Sequence, residues 1–390
     1  MSILSALRLS HRPARGFAVI GVLWGSFAAQ VPVFKAELGV DDTLFGLIFL
    51  GTSLGLVTTI WLAPLFDRIL GRSAMPVASM LVASAFLMPG LVTHPALFMG
   101  VMMALGLTSG LLDVVINARV SELEAANNRS LMNANHGMFS LAYAISAMLT
   151  GLAREVGLPP VAVFACLWLV IAVLASGMRL TPAPIDEAER AAQGAFPWRV
   201  VLICGGIVLI AFFVEATVEA WSALHIERTL GGRAAEGAFG PAVLGLTMAF
   251  GRFSGQAISG RFSETSVIVI GSGLASIGAL IAAAAPGPAI AYLGFGTMGL
   301  GISVVGPMGL ALVGRLVRPG RRTAAVARAA VIGFVGFMAA PAVMGLMSGA
   351  FGLRMAFVAV AMLALIGPGL ALAIRVQAQF PSKSAGISRL

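Results

Sequence analysis

The sequence is short of charge. Its 390 residues include 25 Lys and Arg and 16 Asp and Glu, so only 11% are charged. A soluble chain of this size carries about a quarter charged residues to hydrate its surface, and a water-facing globular surface is thereby excluded. Cysteine and histidine are scarcer still, at two and four, which rules out a disulfide scaffold and leaves little from which to build a metal centre. Also missing are a G-x-x-x-x-G-K-[ST] phosphate loop, a G-x-S-x-G elbow, H-E-x-x-H and Cys-x-x-Cys. The sequence is therefore read as neither an enzyme nor the holder of a cofactor or metal. Without a nucleotide-binding loop, any work it does must draw on a gradient.

What it has instead is apolar length. Hydrophobic residues make up 59% of the chain and the mean hydropathy is +0.97. Runs long enough to cross a bilayer, about 20 residues each, recur twelve times. They fall at 16–37, 43–66, 75–93, 96–118, 131–152, 159–178, 199–224, 238–259, 265–285, 289–313, 325–348 and 355–376. The first is too long for a signal-peptide core and has no clear cleavage site, so it is expected to be retained. An all-α polytopic membrane protein of twelve transmembrane helices follows. The longest polar interval, 179–198, with Pro182, Pro184, Asp186, Glu187 and Glu189, divides it into six-helix halves at 1–178 and 199–390. Cys166 and Cys204 both fall inside spans and read as core residues.

Basic residues fix the orientation, because Lys and Arg resist translocation. With both termini in the cytoplasm of a cell with an inner membrane, all but Lys35, Arg154, Arg228, Arg233 and Arg354 lie inside. The net charge of +9 then reads as topology and contact with anionic lipid, and nucleic acid is not expected as a partner.

Several motifs narrow the class. "APLFDRILGRS" holds Asp67, Arg68, Gly71 and Arg72 between the second and third spans, with Ala63 ahead of them. This resembles the D-R-x-G-R loop signature of the major facilitator superfamily, with one extra residue before the glycine. "NHGMFSLAYAISA" at 135–147, "GFVGFMAAPAVMG" at 333–345 and "EATVEAWSAL" at 215–224 resemble the fifth, eleventh and seventh spans of fucose-permease-like bacterial carriers. In the last, Ala220 stands where those relatives have an acid before the tryptophan, and Glu219 sits one residue earlier. The resemblance implies alternating access around a central site and a small, sugar-like solute. It also implies conformational gating at Asp67, Arg68, Gly71 and Arg72.

Three acids stand inside the spans: Asp113, Glu215 and Glu219. A charge at the bilayer centre costs about 2.5–3.5 kcal/mol even on insertion scales, so these groups should face a cavity or a partner. Spans four and five form an antiparallel hairpin that sets Asp113 level with His136 and Asn117 level with Asn133. Asp113 and Asn117 are i and i+4, and Asn133, His136 and Ser140 follow helical spacing, so each span presents one polar stripe. Asp113 with His136 is thus one expected proton-coupling pair, the alternative being a fixed network gluing two helices. Glu215 and Glu219, also i and i+4, form the other, since neighbouring carboxylates repel when both are ionised. Asn117, Asn133, Ser140, Gln30 and Trp221 are candidate solute contacts. Arg252 reads either as a snorkelling residue or as an anchor for an anionic group. Arg119 reads as a marker of the membrane edge. Glycines along 294–309 and Pro341 are expected to allow close packing and a kink. The expectation is proton symport of a small polar solute. Its rivals are a proton-coupled exporter and a membrane sensor that keeps the carrier fold without flux.

Overall fold

A computed structural model describes residues 2–182, 196–258, 263–318 and 321–379, and the described residues contain helices and no strands. Most of the expected linker, including Asp186, Glu187 and Glu189, lies outside these residues. A short helix α1 (Ile3–Leu9), capped by the Ser2 hydroxyl, leads into α2 (His11–Leu38), the first span. The second crossing is α3 (Asp42–Ile48) with α4 (Leu50–Leu70), and the third is α5 (Ala74–Ala85) with a 3-10 turn at Met88–Leu91. Then come α6 (Pro95–Asn127), α7 (Met132–Glu155), α8 (Pro160–Ser176), α9 (Trp198–Leu224), α10 (Ala234–Ile258), α11 (Glu264–Ala284) and α12 (Pro288–Leu316). The last two crossings share α13 (Arg322–Ala364) and α14 (Ile366–Gln379).

Eight stretches are long and apolar enough to cross a membrane, and two of them, Asp42–Leu91 and Ala324–Ile374, run to 50 and 51 residues. Each of those two accommodates a double crossing. With the shorter α8 and with α10, the twelve expected spans are present. The chain leaves the helix at Gly352, where φ is 81°, within the interval expected between the last two spans, and Pro341 lies inside the helix. Polar caps set several ends: Asp41 accepts from the Leu44 amide, and Gly39 closes α2 in the left-handed conformation.

Within each half the helices pack as neighbours: α2 on α7 and α4 on α6 in the first, α9 on α13 and α11 on α12 in the second. The halves meet chiefly where α7 lies against α10 and α3 against α13. The second crossing is very close. A Cβ on Gly46 would lie 2.9 Å from the Gly345 Cα, so backbones touch there with no room for a side chain. The buried residues of the core are Ala, Phe, Val, Leu and Ile, while lipid-facing positions such as Trp61, Leu149 and Val173 are equally apolar but exposed. That inversion of the soluble pattern is what a hydrocarbon solvent requires.

Candidate functional site

In the middle of the bundle, three helices from both halves converge. Arg252 on α10 is 8% exposed and Glu215 on α9 is 5% exposed, and the guanidinium Nη2 donates to both carboxylate oxygens at 3.1 and 3.3 Å. Its Nη1 donates to the Ser140 hydroxyl of α7 at 2.5 Å, and Ser140 in turn donates to the His136 carbonyl at 3.1 Å. One arginine thus ties the seventh and eighth spans to the fifth, across the boundary between halves. Arg252 is no snorkelling residue: it is held inward because its charge and donors are answered there. An ion pair this deep persists only when both members keep their partners.

Several buried groups on α2, α7 and α9 have polar atoms without a partner. The Tyr143 hydroxyl, on a ring 1% exposed, has no hydrogen-bond partner, yet it lies within electrostatic reach of both Glu215 and Glu219. Gln30 on α2 is fully buried with both amide atoms unsatisfied. Thr217, Trp221 and Ser222 on α9 carry the same deficit. Buried polar atoms are normally paired, so a group of orphans marks a place where water or a solute supplies the partner. Trp221 does not sit at the interface: it is fully buried, with its ring edge-on to Phe45 at 6.1 Å.

The pair expected between spans four and five does not form. Asp113 accepts from the Asn117 side chain at 3.0 Å, and Asn117 also donates to the Asp113 carbonyl at 2.8 Å. The Asn117 amide is therefore turned along its own helix, not toward Asn133. His136 packs its ring against Phe17, centroids 4.8 Å apart, and makes no bond to Asp113. The two helices scarcely touch, since α6 packs on α4 and α7 on α2 and α10, so their polar faces do not meet. The neighbouring Asn135, absent from the expected stripe, is the buried one, and it donates to Ser10 at 2.9 Å.

At the bundle end where α2 begins, the near end, Asp67 accepts from Arg119 at 2.5 Å, and Arg119 also meets Glu122 at 2.8 Å. Arg119 is only 1% exposed, so it is not an edge marker. It joins α4 to α6 because α6 continues well past the expected end of its span. Gly71 caps α4 with φ 48°, a backbone turn that accounts for the glycine of the loop motif. Arg68 and Arg72 are exposed.

The far end holds what spacing alone did not reveal. Asp42 at the start of α3 receives Lys35 at 3.0 Å, Arg228 at 2.5 Å and the Ser348 hydroxyl at 2.5 Å. Arg154 at the end of α7 grips Glu227 with two bonds of 2.8 and 3.0 Å and donates to the Ala29 carbonyl at 2.6 Å. Arg233 lies 3.6 Å from Glu155. Asp42–Arg228, Arg154–Glu227 and Glu155–Arg233 each link the first half to the second. Glu227 and Arg228 sit in a single π turn, His225–Thr229, that extends α9. At the near end, by contrast, Arg119–Asp67 and Arg315–Glu264 each stay within one half. The signal for the far-end network was present in the sequence. All five basic residues left on the disfavoured side have partners, Arg354 donating to the Ala283 carbonyl at 2.8 Å.

A helical bundle in two halves, tied at one end and polar at its centre, defines a membrane carrier architecture. The family model of the Major Facilitator Superfamily matches residues 16–300 and 204–386, and the chain belongs to that superfamily. An uncharacterized MFS-type transporter of Yersinia pestis is 27% identical over 352 residues, covering 90% of this chain and 91% of the relative. The membrane protein MosC of Rhizobium meliloti is 23% identical over 86% of this chain and 83% of its own. Among solved structures, a bacterial homolog of the human lysosomal transporter Spinster, inward-facing and unoccupied, superimposes with a TM-score of 0.73 at 16% identity, covering 96% and 98% of the two chains. The nucleoside transporter NupG gives 0.67 at 15% identity, covering 96% of this chain and all of its own. These structural likenesses define the fold.

Proposed function

We propose that the protein is a proton-coupled symporter that carries a small polar solute across a cell's inner membrane by alternating access, with both termini cytoplasmic. The observation that carries this reading is the Arg252–Glu215–Ser140 junction, a buried ionic link between halves, with the unsatisfied Tyr143 hydroxyl one helical turn beyond Ser140. In carriers of this architecture solute binds between the halves near the midplane. With the far end as the external face, its cross-half ion pairs close the outside. The likeness to an inward-facing Spinster homolog supports the same conformation. The halves are residues 1–178 and 199–390, joined by 179–198, with Asp67, Arg68, Gly71 and Arg72 serving the gating at the inner face.

Sugar-like solutes are the first candidates, on the strength of the resemblance in the fifth, seventh and eleventh spans. Gln30, Tyr143 and Trp221 would supply hydrogen bonds to such a solute, and Asn117, Asn133 and His136 line its route to the inner face. Asp113, half-buried and without a cationic partner, is the group proposed to bind the coupled proton. Proteoliposomes carrying wild type and Asp113→Asn, challenged with sugars and other polar metabolites, test the reading. Solute-dependent alkalinisation of the medium is expected in the wild type and is lost in the variant, which keeps solute exchange. No proton movement with any compound would sink symport.

A further inference from the structure

Span seven and its π turn carry three carboxylates in line, Glu215, Glu219 and Glu227. The outer two are matched by arginines from neighbouring helices, Glu215 by Arg252 and Glu227 by Arg154. Glu219 lies between them, one turn or about 6 Å beyond Glu215, and none of the described residues donates a hydrogen bond or a salt bridge to it. Arg252 is already divided between Glu215 and Ser140. The charged and titratable groups around Glu219 are Glu215 on its own helix, Arg252 from α10 and Tyr143 from α7, with His136 in turn within reach of Arg252. Tyr143 adds an independent pointer to a ligand: it stands one turn beyond Ser140 on α7, as Glu219 stands one turn beyond Glu215 on α9, and its buried hydroxyl has no partner.

A carboxylate in this setting lacks a countercharge, and leaving it so is costly. Either a proton or a cation must fill the place. If Asp113 serves the proton, as the transport reading on which this step rests has it, the place at Glu219 is free for a charge on the solute. A bare metal ion is a poor fit. It needs a shell of several oxygens, and no group of three or more His, Cys, Asp or Glu placed to hold one occurs among the described residues. An ammonium group has three donors to distribute, one to the carboxylate and others to neutral acceptors such as the Tyr143 hydroxyl. We infer that Glu219 is the anchor for a protonated amine, and that the solute is an organic ammonium compound with further hydroxyl or carbonyl groups.

The test is thermal unfolding of the purified full-length protein at neutral pH with glucosamine, galactosamine and ethanolamine. Glucose, galactose and ethylene glycol serve as the neutral counterparts, and sodium chloride at matched ionic strength as the inorganic control. At least one amine should raise the unfolding midpoint while its neutral counterpart and sodium do not. Its apparent affinity should fall at least about tenfold in Glu219→Gln, as expected for loss of a charge-assisted bond, and recover in part in Glu219→Asp. The amine response should also fade as pH falls, because a proton competes for the same carboxylate. Glu219→Gln without ligand should melt at or above the wild-type temperature, since it removes an unmatched charge. The inference is overturned if no amine shifts the midpoint, if a neutral counterpart or sodium shifts it equally, or if Glu219→Gln responds like wild type. A neutral compound that drives proton uptake while no amine binds leaves the transport reading intact and defeats this one. An amine that binds through Glu219 yet is never carried defeats transport and leaves the amine site standing.

Discussion

Arg252→Gln is the perturbation that most directly tests the central junction. It removes the one cation bonded to Glu215 among the described residues and leaves two carboxylates one helical turn apart. Breaking a buried pair by deleting one partner costs about 3–5 kcal/mol, and the penalty here is expected near 3 because Glu219 is only half-buried. The double variant Arg252→Gln with Glu215→Gln should recover most of the loss, because it removes both charges of the pair. Thermal or denaturant unfolding of the three proteins in one detergent reads this out. A double variant no better than the single would refute the claim that charge matching holds the halves together here.

The far-end network should respond to Asp42→Asn combined with Arg154→Gln. Spin labels at the exposed Leu158 and Pro286, one on each half, should then report a larger population of long separations, and an unchanged distance distribution would argue against a seal. Gly345→Ala places a methyl where the Gly46 backbone passes and should likewise open the far end without altering any charge. Asp67→Asn leaves Arg119, 1% exposed, with a weakened partner set and should lower stability by about 1–3 kcal/mol, checked by the unfolding midpoint.

The sequence made the crossings legible because a bilayer imposes length and apolarity on each one independently, a local requirement that any window along the chain displays. The site was legible only in part. Glu215, Ser140 and Arg252 were recognisable as polar residues in the wrong solvent, but their union was hidden. Counting along the helices placed Arg252 toward one face of the membrane and Glu215 toward the other, and the length of the arginine side chain bridges that difference. Asp113 and His136 fared in the opposite way, since consecutive spans need not pack on each other: α6 lies against α4, and α7 against α2 and α10, which leaves the two residues with Asn117 and Phe17. Asp42 and Glu227 carry no signal of their own in the sequence, and Arg154 reads only as a charge flanking a span. Their partners are far away in the chain, Asp42 meeting Arg228 and Ser348, and only tertiary structure supplies such pairs.

The π turn at His225–Thr229 gives the far-end network an unusual vulnerability. A π turn accommodates one residue more than the regular helix it interrupts, so the aim of Glu227 and Arg228 depends on a count as well as on their identity. Deleting a single residue within the turn would restore regular winding and swing both side chains by about 100°, away from Arg154 and Asp42, with neither ion-pair partner mutated. Helix register, and not charge alone, thereby sets how firmly this carrier shuts.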